Sequence, residues 1–210
     1  MTKIKICGLM DIKNLTASLS AGADFIGFVF YPPSPRAISL ENALSLAHAI
    51  KSPTKIVGLF VNPDDDLLHK VISHCPLDYI QLHGDESPAR INAIRNNFKK
   101  PIIKAVSIAT KDDASRIKDY ETVADWILCD TKLPNGISGG SGITFDWGLL
   151  KDFKFNKPWM LSGGLTAENV KAAISTLSPD AVDVSSGVEI IKGQKDPEKI
   201  RDFIKQVRYK

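Results

Sequence analysis

The chain has few cysteines: Cys7, Cys75 and Cys129 are the only three in 210 residues, and they form no C-x-x-C pair. An odd number of widely spaced cysteines argues against a disulfide framework, so we expect reduced thiols. The longest apolar run, Phe25 to Tyr31, contains a glycine and is too short to span a bilayer. The N-terminus also lacks a signal-peptide hydrophobic region, which predicts a soluble, cytoplasmic protein that does not bind membranes.

The charged residues are not clustered in any pattern typical of a nucleic-acid or metal site. The net charge of +3 is spread evenly, with no basic stripe of the kind that binds nucleic acid, so nucleic acid is not an expected partner. No group of His, Cys, Asp and Glu has metal-ligand spacing, and we expect neither a metal nor another cofactor. Linkers, repeats and low-complexity segments are missing too, which predicts one domain over residues 1–210.

Short β-like runs alternate with helical patterns from end to end, as repeated βα units would. The predicted strands centre on Ile4–Cys7, Phe25–Phe30, Ile56–Val61, Tyr79–Leu82, Ile102–Val106, Trp126–Asp130, Trp159–Ser162 and Val182–Ser185. Eight such units predict an α/β fold, a single-domain TIM (β/α)8 barrel. The alternative, a doubly wound open sheet, is disfavoured because the first strand lacks a Gly-x-Gly-x-x-Gly turn.

Several helices have clear start signals. Ser39, Asp64 and Ser87 each precede an amphipathic stretch, and Pro88 suits a first helical turn. The Gly- and Pro-rich run from Pro134 to Gly142 predicts a mobile loop after the sixth strand.

The first strand ends on a cysteine followed by glycine. Residues two apart on a strand share a face, so Lys5 and Cys7 should point into the barrel while Ile4 and Ile6 face the helices. A buried Lys5 needs a partner, and Asp183 on the adjacent eighth strand has the right parity. The ammonium would then favour the thiolate of Cys7. The alternative is that Cys7 is simply a small buried hydrophobic residue.

Asp130 ends the sixth strand, across the barrel from the first. Acidic residues at this edge of a barrel often transfer protons, although Asp130 could instead cap the following loop. Cys7 and Asp130 would bracket a small substrate, one as base and the other as acid. The pair is therefore the predicted catalytic set.

Two loops predict a phosphate site. The seventh and eighth strands run into Ser162-Gly163-Gly164 and Ser185-Ser186-Gly187, each expected to lead into a helix. Loops after strands seven and eight are the recurrent phosphate-binding position of barrels, so we expect Gly163, Gly164, Ser185, Ser186 and Gly187 to bind phosphate. Ordinary Gly-rich turns are the alternative.

Three further residues are candidates for binding the rest of the substrate. Arg36 follows Pro32, Pro33 and Pro35, and a guanidinium on so stiff a loop suits a carboxylate, although it could be a solvated surface arginine. Gln81 and His83 share the inward face of the fourth strand, and both are predicted to bind substrate. A hydrogen bond at the barrel edge is the alternative for His83.

These residues resemble the phosphoribosylanthranilate isomerase family of tryptophan biosynthesis over nearly the whole chain. The matching segments include Lys5–Leu9, Ser34–Arg36, Val57–Asn62, Gln81–Glu86, Gly139–Gly142, Phe145–Trp147, Leu161–Leu165 and Asp183–Glu189. The resemblance implies an Amadori rearrangement of a phosphorylated aminoaldose, with Cys7 as general base and Asp130 as general acid. It also implies that Arg36 binds the anthranilate carboxylate and that the two glycine-containing loops bind the phosphate.

Other functions of the same fold remain open at this stage. A lyase resembling indole-glycerol-phosphate synthase would need a catalytic lysine and glutamate set, and a pentose-phosphate epimerase would need a His/Asp metal cluster. Neither set is visible at the strand ends. A phosphosugar-binding module without activity would keep the glycine loops and lose the acid or the base, yet both Cys7 and Asp130 are present.

Overall fold

The computed structural model describes residues 1–51, 53–131 and 146–209. Eight parallel strands close into a barrel in the order in which they follow one another in the chain. They are β1 (Lys3–Cys7), β2 (Phe25–Val29), β3 (Lys55–Phe60), β4 (Tyr79–Leu82), β5 (Ile102–Ile108), β6 (Trp126–Thr131), β7 (Trp159–Leu161) and β8 (Ala181–Val184). The predicted TIM barrel is confirmed, and closure excludes the open-sheet alternative.

Helices cover the outside of the barrel. Their bounds are α1 (Ile12–Ala21), α2 (Leu40–Ala49), α3 (Asp65–Ile72), α4 (Pro88–Phe98), α5 (Lys111–Ser115), α6 (Ile117–Glu121), α7 (Val170–Leu177) and α8 (Pro197–Arg208). Ser39, Asp64 and Ser87 cap their helices by accepting a backbone N–H three residues on, as predicted. No helix of the described segments is long and apolar enough to cross a bilayer.

Two layers of apolar side chains follow from the alternation along each strand. Ile4 and Ile6 join the large core between barrel and helices. The barrel interior has its own smaller core, which includes Phe25, Val57 and Met160. Lys5 lies inside the barrel with its side chain fully buried, so the predicted strand parity is confirmed.

One element is absent from the sequence prediction. A two-stranded hairpin, β9 (Glu189–Ile191) and β10 (Gln194–Lys195), lies between β8 and α8. Gly193, with φ +90°, provides its left-handed turn residue. Strands this short carry too little periodicity to be read from sequence. The predicted loop from Pro134 to Gly142 lies outside the described residues.

Candidate active site

A cavity of about 470 Å³ lies at the carboxyl ends of the barrel strands. The residues that line it come from strands on every side, because all parallel strands of a closed barrel end at the same edge. The lining includes Cys7, Val29, Tyr31, Arg36, Leu59, His83, Asp130, Ser162, Gly163, Gly164, Asp183, Ser185, Ser186 and Lys192. Both predicted catalytic residues therefore border one cavity.

Cys7 lies at the floor of this cavity with 4% of its surface exposed. Below it, Lys5 Nζ donates to Asp183 Oδ1 at 2.8 Å, and Ser162 Oγ donates to Asp183 Oδ2 at 3.2 Å. The pairing of β1 with β8 aligns Lys5 with Asp183. The predicted ion pair is confirmed.

The ionisation of Cys7 depends on burial as well as on the neighbouring charges. Burial is the largest influence and raises the pKa of the thiol; Lys5 lowers it, and Asp183 raises it again. Lys5 therefore favours the thiolate, as predicted, but burial outweighs it and the net direction is upward. The carboxylate of Asp183 offsets much of the field of Lys5, a pairing that leaves desolvation dominant.

Asp130 ends β6 with 3% of its surface exposed. Its Oδ1 accepts the backbone N–H of Thr131 at 2.8 Å. Its Oδ2 lies 3.1 Å from Nε2 of His83, which comes from the end of β4. The acid candidate is thus held by a backbone donor on one oxygen and an imidazole on the other.

Both predicted phosphate loops border the cavity. Gly163 and Gly164 have φ values of +87° and +62°, which glycine adopts without strain, and Ser185 and Ser186 follow the adjacent strand β8. Neither loop leads straight into a helix as expected: α7 starts only at Val170, and a 3-10 turn (Ser186–Val188) follows β8. The backbone N–H groups of these two segments therefore belong to loop residues and a 3-10 turn, and not to the first turn of an α-helix.

Gly187 is where the two loops touch. A Cβ on Gly187 would lie 1.9 Å from the carbonyl oxygen of Leu165. Gly187→Ala should therefore push the loops apart and weaken binding of inorganic phosphate by about tenfold, the loss of roughly one hydrogen bond to a charged group. Calorimetric titration with phosphate measures this, and an unchanged Kd in a folded variant would contradict it.

Arg36 is buried, with 7% of its surface exposed, so the alternative of a solvated arginine is wrong. Its Nε and Nη2 donate to the two carboxylate oxygens of Glu189 at 2.7 and 2.8 Å. Lys195 Nζ lies 2.6 Å from Glu189 Oε1 and 3.0 Å from the Ser185 hydroxyl. The hairpin thus connects the loop that carries Arg36 to the predicted phosphate loop at Ser185.

Glu189 and Lys195 are the site residues that sequence reasoning missed. Burial alone would raise the pKa of Glu189, but the contacts with Arg36 and Lys195 and the Gly193 N–H outweigh it and lower the pKa to about 2. Burial also lowers the pKa of Lys195, and the Glu189 carboxylate acts in the opposite direction. Glu189 ends the Asp183–Glu189 segment that resembles the family, but nothing in the sequence paired it with Arg36 or Lys195.

Gln81 and His83 are arranged differently from each other. His83 borders the cavity, with 10% of its side chain exposed. Gln81 is fully buried below it, and its Nε2 lies 3.0 Å from His83 Nδ1. The structure therefore places Gln81 against His83, away from the cavity lining.

A family model described as N-(5'-phosphoribosyl)anthranilate (PRA) isomerase matches residues 4–206. The chain belongs to this family. The N-(5'-phosphoribosyl)anthranilate isomerase of Paracoccus denitrificans is 48% identical, over 96% of this chain and 94% of that protein. The resemblance, and the prediction that the chain is an isomerase, are confirmed.

Solved structures of the PRA isomerase family share the whole barrel. The phosphoribosyl anthranilate isomerase of Thermotoga maritima has a TM-score of 0.91 and 40% identity, covering 99% of both chains. A second one, solved in complex with reduced 1-(o-carboxyphenylamino)-1-deoxyribulose 5-phosphate, has a TM-score of 0.85 and 37% identity, again over 99% of both chains.

Proposed function

We propose that the protein converts N-(5-phosphoribosyl)anthranilate into 1-(2-carboxyphenylamino)-1-deoxyribulose 5-phosphate, a step of tryptophan biosynthesis, in the cytoplasm and without a cofactor. The observation that carries this proposal is that Cys7, Asp130, Arg36 and the glycine loops border one cavity of about 470 Å³. A phosphorylated aminoaldose with a carboxylate at its other end offers a partner to each of them.

The reaction needs one acid and one base. Asp130, as general acid, protonates the furanose ring oxygen, and the C1–O bond breaks as the anilino nitrogen forms an iminium ion. The iminium acidifies the C2 proton, which Cys7 removes as general base to give an enolamine. Tautomerisation of the enolamine gives the ketone. The negative charge left on Asp130 faces the cationic iminium, an attraction that favours the open form.

The two ends of the substrate are held apart in this proposal. Gly163, Gly164, Ser185, Ser186 and Gly187 supply the phosphate site. His83 borders the cavity near Asp130, with Gln81 buried behind it. Arg36 uses Nε–H and one Nη2–H for Glu189, so its Nη1 group and the second Nη2–H are the donors for the substrate carboxylate.

The direct test is fluorescence decay of phosphoribosylanthranilate with purified enzyme and a metal chelator present. We expect rapid decay and formation of the aminoketose, identified by the ketone signal in its carbon NMR spectrum, because the product has the same mass as the substrate. If the substrate persists while phosphate still binds, the chain would be a phosphosugar-binding module, and the proposed reaction would be wrong.

The carboxylate contact predicts a selective defect. Arg36→Lys should raise KM for the anthranilate substrate about tenfold or more, because one ammonium cannot serve two carboxylates as a guanidinium does. A substrate analogue built on aniline, which lacks the carboxylate, is the matched control. Its KM should differ little between Arg36→Lys and wild type. An equal rise in KM for both substrates would show that Arg36 does not bind the carboxylate.

A further inference from the structure

Two side chains, Gln81 and His83, form a hydrogen-bonded chain that leads to Asp130. Gln81 Nε2 lies 3.0 Å from His83 Nδ1, and His83 Nε2 lies 3.1 Å from Asp130 Oδ2. Gln81 is fully buried, and the side chains of His83 and Asp130 are 10% and 4% exposed. Within the described residues, Gln81 Oε1 has no hydrogen-bond partner.

Both ring nitrogens of His83 are therefore engaged by the protein. A substrate atom could bind to the imidazole only by displacing Gln81 or Asp130. The contact with Gln81 is the more buried of the two, and strands β4 and β6 hold both contacts. In this geometry Gln81 orients the His83 imidazole, and the imidazole in turn contacts Asp130. Other catalytic sites use a third group in the same way, to fix an imidazole against the reacting side chain.

The direction of the Gln81 amide decides where a proton lies. If its NH2 group faces Nδ1, that nitrogen is an acceptor, Nε2 carries the hydrogen, and Asp130 can only accept. If Oε1 faces Nδ1, that nitrogen carries a hydrogen, and the Nε2–Oδ2 contact holds a second proton between His83 and Asp130. A general acid needs the second state. This state gives Oε1 a donor and turns the NH2 group to the position where Oε1 has no partner.

We propose that His83 and Gln81 are positioning residues for proton donation: His83 shares one transferable proton with Asp130, and the Gln81 oxygen holds the imidazole in the state that supplies it. On proton transfer to the ring oxygen, the pair becomes neutral His83 beside the Asp130 carboxylate. The inference rests on the proposed acid role of Asp130. It differs from the prediction that Gln81 and His83 bind substrate.

Other charged groups surround this pair and contribute to any pH dependence. Those bordering the same cavity are Cys7, Tyr31, Arg36, Asp183 and Lys192. Lys5 lies beneath Cys7, Cys129 precedes Asp130 on β6, and Glu86 and Lys104 pair at 2.7 Å behind the loop that follows β4. The variants below leave all of these groups in place.

The decisive measurement is the pH profile of kcat/KM for Gln81→Glu. A carboxylate can only accept from Nδ1–H, and its charge favours the imidazolium, so the pair should hold its proton to higher pH. The alkaline limb of the profile should move to higher pH by about one unit, the size expected for a neighbouring opposite charge. In a His83→Gln background the same change should cause no comparable movement, which separates action through His83 from a general field on Cys7.

The His83→Gln variant itself distinguishes positioning from substrate binding. Its amide reaches about as far as Nε2 but carries no transferable proton, so kcat should fall at least tenfold with KM within about threefold of wild type. A raised KM with normal kcat would instead make His83 a substrate ligand and overturn the inference. If Gln81→Glu does not fold, Gln81→Met replaces it and should lower kcat at constant KM.

Failure of the underlying function gives a different result. An Asp130→Asn variant that retains activity would refute the acid role of Asp130 itself. If Asp130→Asn is inactive while the pH profile of Gln81→Glu matches wild type, the acid role stands and the relay through His83 is refuted.

Discussion

Asp130→Asn and Cys7→Ala should each lower kcat by about 10²-fold to 10⁴-fold, the usual contribution of a general acid or base. The asparagine keeps the shape of Asp130, and its oxygen can still accept the Thr131 N–H, so the loss isolates the missing proton. Cys7→Ala removes only the sulfur at the cavity floor. Both rates are measured by decay of substrate fluorescence at saturating concentration.

Cys129→Ala is the matched control for these variants. Cys129 is fully buried and directly precedes Asp130, but its side chain packs in the core between barrel and helices. We expect its kcat to remain within about threefold of wild type, because it touches no reacting group. A loss of less than tenfold in either Cys7→Ala or Asp130→Asn would remove that residue from the catalytic pair.

The second large effect concerns stability. Lys5→Met leaves the Asp183 carboxylate buried without its cation, and breaking one partner of a buried pair typically costs about 3–5 kcal/mol. Burial lowers the pKa of Lys5, but Asp183 more than offsets this and raises it to about 12. The pair's contribution is therefore present below the ordinary lysine pKa and is lost as pH rises through about 12.

Urea unfolding of Lys5→Met measures this contribution, with Lys55→Met as the matched control. Lys55 pairs with Asp78 at 3.0 Å, yet its side chain is 52% exposed. Exposed pairs contribute little because water screens them, so the midpoint of Lys55→Met should stay close to wild type. Equal midpoints for the two variants would show that the Lys5–Asp183 pair does not stabilise the fold.

Prediction from the sequence succeeded where the physics is local or repeats along the chain. Alternation along one strand placed Lys5 and Cys7 on the inward face, and a serine or aspartate before an apolar stretch marked each cap. The Lys5–Asp183 pair could also be inferred, because closure of eight parallel strands makes β8 the neighbour of β1.

Prediction failed where distant segments compete for one group. The Arg36 guanidinium was expected to bind a substrate carboxylate, but its partner in the structure is Glu189, 153 residues away on a hairpin too short to predict. The effect of Lys5 on the Cys7 pKa was predicted with the right sign, but the net upward shift also depends on burial and on Asp183, which act only in the folded barrel.

The sequence by itself determined the barrel, its inward and outward faces and the strand ends where the candidate residues lie. The hydrophobic period and the turn-forming residues that indicate these features depend only on residues close together in the chain. Only the tertiary structure decided what those residues contact. Asp130 meets His83 across 47 residues, and His83 in turn meets Gln81 beneath it. Hydrogen-bond partners and desolvation depend on how separate strands come together in space, and that information appears only once the barrel closes.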